Sequence, residues 1–177
     1  MSYEIVKANN EKDKETIIDF WNQNNEKKIN KKFDWFYISN PDGPATTYFV
    51  KHSNTPGIIG MATVFPRKFV YKQDVYTAGI QGDFFVHTDY RSFGPALMLI
   101  RAIVNSLEES EFDFLFGFPN RKAELILKRA GYHQLGWIRK YTRLFNIYRL
   151  LSSKAQVPGS LTGILSPIAN QLLDFIY

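Results

Sequence analysis

The alternation of apolar and polar positions predicts a series of short strands and helices along the first 145 residues, without an internal repeat. Runs rich in β-branched and aromatic residues are typical of strands, and apolar residues at three- and four-residue steps are typical of helices. Strands are predicted at residues 3–8, 46–52, 57–71, 75–87, 112–118 and 133–145. Helices are predicted after a cap at Asn9 or Asn10, around Phe33, Phe36 and Tyr37, from Pro95 onwards, and from Asn120 to Gly131.

This order of elements, β-α-α-β-β-β-α-β-α-β, predicts an α/β domain with a mixed sheet and helices on its faces. The helix from Pro95 carries a wide apolar side that includes Leu97, Ile100 and Val104, so we expect it to pack against the sheet. Residues 112–118 are too apolar for an edge strand with one wet face, which favours a buried strand in parallel pairing. The compact domain is predicted to cover residues 1–145.

Residues 146–177 mix Ser, Pro and Gly with scattered Leu and Ile, and predict a linker followed by an amphipathic C-terminal helix. Leaving its apolar stripe in water is unfavourable, at ~25 cal/mol per Å² of apolar surface. No Lys or Arg follows Lys154, which makes anionic lipid a poor partner. We therefore expect the helix to pack on the domain, on another subunit of a homo-oligomer, or on a second lobe. The stripe consists of Leu161, Ile164, Leu165, Ile168, Leu172 and Ile176.

Composition narrows the classes of function. The chain has no Cys, which excludes a disulfide framework, a thiol nucleophile and thiolate metal sites. His52, His87 and His133 lack the spacing of metal ligands, so no metal is expected. The net charge of +5 favours anionic ligands, but no nucleic-acid motif accompanies it, and no nucleic-acid partner is expected. No segment resembles a signal peptide or a membrane span, which predicts a soluble, cytoplasmic protein.

The turn between the strand at 75–87 and the helix from Pro95 is a candidate phosphate-binding site. Backbone N–H groups at a helix N-terminus lack partners, and the helix dipole adds positive potential there. Gly94 lets a ligand approach the backbone closely, and Arg91 adds a full positive charge. A plain strand-to-helix turn that binds nothing is the alternative interpretation.

Two motifs in this region and beyond it resemble the GNAT acetyltransferase superfamily. "RSFGPA" at residues 91–96 fits the Arg/Gln-x-x-Gly-x-Gly/Ala loop that binds the acyl-coenzyme A pyrophosphate, and "NRKAELILKRAGY" at 120–132 resembles the Asn-x-x-Ala…Gly-Phe signature. The resemblance covers residues 3–145. It implies a GNAT fold, a mostly antiparallel central sheet and acetyl-CoA or another acyl-CoA as co-substrate. "FDWFYISNPDG", "GPALMLIRA" and "GFPNRKAE" are also similar to larger, two-lobed bacterial acyltransferases, whose second lobe the tail after residue 146 would begin.

The resemblance also implies residue roles. This sequence departs from the family pattern at two positions. Pro95 lacks an N–H, and Leu127 stands where the family usually has its general-acid Tyr. The implied cofactor-binding residues are Phe85, Val86 and His87 beside pantetheine through backbone groups, Arg91, Ser92, Phe93, Gly94 and Ala96 around the pyrophosphate, and Asn120 beside the pantetheine arm.

Asp83 is the candidate general base, because it is the only acidic residue inside the cofactor-side strand. Simple alternation places it on one face with Gln81, Phe85 and His87. The alternative is a carboxylate that only bonds a neighbouring backbone group or Lys.

Tyr132 is the candidate replacement for the missing general acid, or else a core aromatic. Trp35 and Tyr37 can line an acceptor pocket, or else belong to the core.

These features support an N-acyltransferase that moves an acetyl or other acyl group from acyl-CoA to an amine acceptor, either a small molecule or a peptide. Leu127 and Pro95 support an alternative from another class, a non-catalytic GNAT-fold lobe of a larger protein. A third hypothesis is an aminoacyl transferase that uses charged tRNA. The observation that would help most to separate these hypotheses is heat stabilisation, or electron density for the ligand, on adding acetyl-CoA.

Overall fold

The computed structural model describes residues 2–91, 93–109 and 112–139. The chain separates after Gln134 into two units, and the fold below is that of the first. The predicted linker and helix at 146–177 lie outside the described residues and stay predictions. The elements, in chain order, are β1 (Tyr3–Lys7), α1 (Lys14–Asn24), β2 (Thr46–His52), β3 (Ile58–Tyr71), β4 (Asp74–Val86), α2 (Phe93–Asn105), β5 (Phe114–Gly117) and α3 (Arg121–Arg129).

The strands form one five-stranded sheet in the order β1-β2-β3-β4-β5. The first four are antiparallel neighbours, and β5 pairs in parallel with β4. The α/β class and the mostly antiparallel mixed sheet are thereby confirmed. The 112–118 segment pairs in parallel with β4 as predicted, but the prediction that it is a buried strand is wrong: no described strand pairs with its outer edge, so β5 is an edge strand and none of its residues is buried. None of the described helices has the length and apolar character needed to cross a membrane.

Two apolar clusters hold the helices on opposite faces of this sheet. Leu99, Ile100 and Ile103 of α2 pack with Leu127 of α3 on one face, which will be called the α2/α3 face. The other face, here the α1 face, carries Ile17 and Phe20 of α1 together with aromatic residues from the segment that follows α1. The helix predicted around Phe33 is replaced there by two short helical turns, Asn30–Lys32 and Asp34–Ile38.

Two predicted boundaries differ from the structure. The first helix begins at Lys14 rather than directly after Asn9, because the Asn9 side chain accepts hydrogen bonds from the N–H groups of Glu11 and Lys12 in a preceding turn. Residues 133–139 of the predicted last strand have no regular secondary structure, and residues 140–145 lie outside the described part of the chain. Strand propensity alone does not form a strand, because a strand also requires a hydrogen-bonded neighbour.

Gly60 on β3 sits at a point of close approach between β3, β2 and β4. A Cβ atom there would lie 2.9 Å from the Phe85 carbonyl oxygen, 2.9 Å from Val50 Cγ1 and 3.0 Å from Val86 Cγ2. Because one of these atoms is backbone and the other two belong to stiff β-branched side chains, the contact is relieved only by moving the strands apart. Gly60 therefore sets the spacing that brings Val86 to its place.

We expect Gly60→Ala to lower the free energy of unfolding by about 1–3 kcal/mol, because the added methyl group overpacks this point. Denaturant unfolding measures the loss. Gly117→Ala is the matched control, since the nearest atom to its added Cβ would be at an ordinary 3.5 Å. Equal stability of the two variants would contradict the close approach at Gly60.

Candidate functional site

A cavity opens where β4 and β5 stop pairing. Their parallel register ends at Gln81 and Gly117, beyond which β4 continues to Val86 while the other strand turns through Phe118 and Pro119 into α3. The cavity between them has a volume of about 730 Å³, within the ~300–1,000 Å³ range of small-molecule sites. Its walls come from β4, β5 and all three helices: Trp21, Asn25, Gln81–Val86, Arg91, Ala96, Gly117–Asn120, Lys122, Ala123, Ile126 and Leu127.

A β-bulge in β4 decides which side chains face which cluster. Met61 pairs with Phe85 and Thr63 pairs with Gly82, so two residues of β4, Asp83 and Phe84, oppose Ala62 alone. Gly82 faces Phe65 in the α1-face cluster, and the Asp83 side chain points to the same face. Simple alternation therefore fails here. Gln81 lies on the opposite face from Asp83, contrary to the sequence prediction, because the extra residue shifts the period by one.

The backbone of β4 presents one residue to the cavity near its end. The His87 N–H donates to Ile59 O at 2.8 Å, so His87 and Phe85 direct their backbone groups toward β3. Val86 lies between them and directs its N–H and C=O the other way, where the carbonyl accepts a hydrogen bond from Arg91 Nε at 3.1 Å. Of the three residues expected to pair with pantetheine through their backbone, Val86 alone is oriented to do so.

The loop expected to hold the pyrophosphate is only partly described. Phe93 begins α2, with Gly94 and Ala96 in the first turn, while Ser92 lies outside the described residues. Ala96 is buried in the cavity wall, and Gly94 is exposed beside it. Arg91 lines the cavity and places its guanidinium 5.0 Å from the centre of the Phe85 ring. The turn therefore combines a helix N-terminus with a positioned cation, an arrangement suited to an anion.

Asn120 faces this turn from the other wall of the cavity. Its side-chain oxygen caps α3 by accepting hydrogen bonds from the N–H groups of Lys122 and Ala123, both at 3.0 Å. Because the cap uses the oxygen, the amide NH₂ is the part of the side chain that can donate to a ligand. Asn120 therefore serves the helix and the cavity at once.

Asp83 is the acidic side chain in the cavity wall, and it has one strong partner. Tyr37 donates a hydrogen bond from its hydroxyl to Asp83 Oδ2 at 2.6 Å. Burial and the neighbouring Asp83 carboxylate raise the pKa of the Tyr37 phenol far above its ordinary value, so the phenol stays protonated and acts as the donor. The carboxylate thus bonds a Tyr, rather than the backbone group or Lys of the alternative interpretation, and it also lines the cavity, as a base requires.

The structure does not bring every predicted residue to the cavity. Tyr132 lies outside its wall: burial raises its pKa to about 12, and its hydroxyl has no hydrogen-bond partner among the described residues. Trp35 is 53% exposed and packs edge-on against Phe36.

Two further predicted residues have structural roles. His87 accepts a hydrogen bond at Nδ1 from the Asp89 N–H and so caps a turn. Tyr37 is only 1% exposed and lies behind Asp83, outside the cavity wall.

Sequence reasoning missed several side chains of the cavity wall. Trp21 and Asn25 come from the end of α1, and their four-residue spacing was the available signal. Lys122 follows the Asn120 cap and adds a second cation to the cavity wall. Gln81 is only 9% exposed, and both polar atoms of its amide lack partners among the described residues. A lone amide in an apolar strand was the signal for Gln81.

The charges of the cavity wall define the chemistry that it can support. Its titratable groups are Asp83, Arg91 and Lys122. The two cations can hold an anionic ligand, and the carboxylate can accept a proton. Within the described residues, no group of three or more His, Asp or Glu side chains is placed to hold a metal ion.

Comparisons with known proteins identify the fold. No protein-family model matches the sequence, and no curated protein matches it. Glucosamine-6-phosphate N-acetyltransferase from Arabidopsis thaliana aligns with a TM-score of 0.60 at 11% identity, over 80% of this chain and 99% of that chain. A predicted acetyltransferase from Clostridium acetobutylicum, crystallised with acetyl-CoA, aligns with a TM-score of 0.60 at 15% identity, over 79% of this chain and 96% of that chain. A probable N-acyltransferase from Enterococcus faecalis gives 0.54 at 13% identity over 67% of this chain and 30% of that chain. The chain therefore has the GNAT fold.

We expect Gln81→Leu to raise the free energy of unfolding of the ligand-free protein by about 1–2 kcal/mol. The substitution keeps the volume of the side chain and removes a buried amide without protein partners, whose desolvation is otherwise uncompensated. Denaturant unfolding measures the gain. Gln81→Glu is the opposing control, because a buried carboxylate without a partner should destabilise the protein. A less stable Leu variant would mean that the amide already has a partner, such as an ordered water.

Proposed function

We propose that this protein is an N-acyltransferase that transfers an acetyl or other acyl group from acyl-CoA to an amine acceptor by direct attack. One observation carries the proposal. The cavity at the opening between β4 and β5 has a helix N-terminus with Arg91 at one end and the Asp83 carboxylate in its wall. An anion site and a proton acceptor in one cavity are what a thioester donor with a phosphate group and an amine acceptor require.

The residues present fit acyl-CoA as the donor. The first turn of α2 and Arg91 would hold the pyrophosphate, with one donor fewer than usual because Pro95 lacks an N–H. Val86 offers backbone groups and Asn120 an amide NH₂ to the polar arm that follows. The volume of about 730 Å³ leaves room for that arm and for an acceptor.

The reaction can be written with the residues of this chain. The neutral amine attacks the thioester carbonyl carbon, a C–N bond forms, and the C–S bond breaks with its electron pair passing to sulfur. Asp83 accepts the proton that the nitrogen loses. Leu127 cannot donate a proton, so the coenzyme A thiolate takes its proton from solvent, and the Asp83 carboxyl group releases the proton that it accepted to solvent, which restores the carboxylate. Holding the amine and the thioester in attack geometry supplies much of the acceleration, because well-oriented reactants face an activation barrier roughly 7–11 kcal/mol lower than free reactants.

A non-catalytic lobe is the second candidate, and a specific observation favours it. Leu127 lines the cavity at the position where the resemblance expects a general-acid Tyr, and the Tyr132 hydroxyl lies outside the cavity wall. Such a lobe would need no base at Asp83. Binding without turnover separates it from an enzyme.

We expect wild-type protein to bind acetyl-CoA in calorimetry and Gly94→Asp to bind at least ~10-fold more weakly. A carboxylate about 4 Å from a phosphate charge costs ~1–4 kcal/mol, while the same Asp favours the free helix at its N-terminus. Gly94→Asn is the matched control, because it has the shape of Asp without the charge. If all three proteins bind equally well, the pyrophosphate does not lie at this turn.

We also expect Asp83→Asn to lower kcat by ~10²–10⁴-fold at neutral pH while acetyl-CoA affinity stays unchanged. Release of free thiol, followed with an amino sugar, a peptide with a free N-terminus and an aliphatic diamine in turn, measures the rate. Asp34→Asn is the matched control, since it removes an exposed carboxylate from the neighbouring helical turn. A full rate in Asp83→Asn would exclude the base assignment, and binding without turnover in wild type would favour the non-catalytic lobe.

A further inference from the structure

Tyr37 is a rigidly held side chain whose hydroxyl group points at the cavity wall from behind. Its ring stacks on Phe33 with centroids 4.4 Å apart and planes at 12°, and it meets Phe65 edge-on at 5.2 Å. With 1% of its surface exposed, it cannot touch a substrate. Packing thus fixes the phenol, and the direction of its O–H group is fixed with it.

Two buried threonine hydroxyls lie on the strands behind the phenol. Thr47 Oγ1 and Thr63 Oγ1 lie 3.2 Å apart, and Thr63 partly offsets the raised pKa of the Tyr37 phenol. Tyr37 donates to Asp83 Oδ2 at 2.6 Å, a length typical of a hydrogen bond to an ionised carboxylate. Among the described residues, Asp83 is the acidic side chain of the cavity wall, and the phenol is directed at it.

Asp83 also has an unusual backbone. Its φ is +41°, in the left-handed region that Asp tolerates better than most residues, at the centre of the β-bulge. A residue in that region persists when its surroundings hold it in place. The bond from Tyr37 is the side-chain contact that does so here.

We propose that Tyr37 is a positioning residue for Asp83: it binds Oδ2, fixes the carboxylate in the bulge and leaves the other oxygen for the acceptor amine. The inference rests on the proposed function for the role of Asp83, and it assigns Tyr37 a part in proton transfer rather than in the acceptor pocket. Because the phenol is held protonated, it can only donate a hydrogen bond to the carboxylate.

The groups that the described residues place near this pair can be named. The cavity wall also holds the cations Arg91, before α2, and Lys122, on α3, and the neutral Trp21 and Asn25 from the end of α1. On β3, the neutral Thr63 acts on the Tyr37 phenol. A Tyr37→Phe variant keeps all of these residues and the aromatic ring and removes one hydrogen bond. Any change in rate or in the Asp83 resonance is then due to the phenol hydroxyl.

In Tyr37→Phe we expect kcat to fall by roughly 10–10²-fold, because the carboxylate loses the contact that aims its other oxygen at the amine. KM for acyl-CoA should not change. The Asp83 carboxyl ¹³C resonance at neutral pH should shift as well, without any substrate present, because Oδ2 loses its hydrogen bond. Tyr48→Phe is the matched control, since Tyr48 is a buried tyrosine (8% exposed) in the cluster of the α2/α3 face. It should change neither measurement.

An unchanged Asp83 carboxyl resonance in a folded Tyr37→Phe protein overturns the inference, whatever the activity. If the resonance shifts but wild-type protein transfers no acyl group, the pairing stands and the proposed function fails. Should Tyr37→Phe not fold, wild type still provides a test. The Tyr37 hydroxyl proton should give a slowly exchanging, low-field NMR resonance that moves upfield in Asp83→Asn. Absence of that resonance overturns the inference as well.

Discussion

The early end of the β4–β5 pairing is the constraint on which the rest of the structure depends. Parallel pairing holds the two strands together up to Gln81 and Gly117, and the bulge at Asp83 follows directly. Beyond this point β4 keeps its hydrogen bonds to β3 on one side only. Its other edge, at Val86, faces a cavity instead of a strand. A ligand that supplies hydrogen-bond partners can complete this edge, as an added strand would.

The bulge also sorts the polar side chains of the cavity. Gln81 comes before it and lies on the α2/α3 face, whereas Asp83 comes within it and points to Tyr37 on the α1 face. A regular strand would have put both side chains on one face. The cavity thus has a carboxylate held by a phenol on one side and an amide without protein partners on the other.

Several features of this region work against the stability of the domain. Asp83 has a left-handed backbone conformation, and the Gln81 amide is buried without a partner among the described residues. Proteins keep such local costs mainly at functional sites, where packing elsewhere offsets them. Here the offset comes from the two apolar clusters that clamp the sheet from both faces. This placement of strain beside a cavity supports a binding or catalytic role, which the fold alone does not define.

The sequence by itself determined the five strands β1 to β5 and the three helices α1 to α3, the mixed sheet, the parallel partner of β4 and the position of the turn at Arg91, because these follow from local periodicity and turn chemistry. It did not determine which side chains meet. A single extra residue in β4 reversed the faces of Gln81 and Asp83, and only the pairing with β3 shows where that residue is inserted. Tyr37 and Asp83 are 46 positions apart, so no local pattern could join them. The contents of the cavity wall were decided by tertiary structure, because hydrogen bonds between distant segments and strand register depend on packing rather than on local sequence.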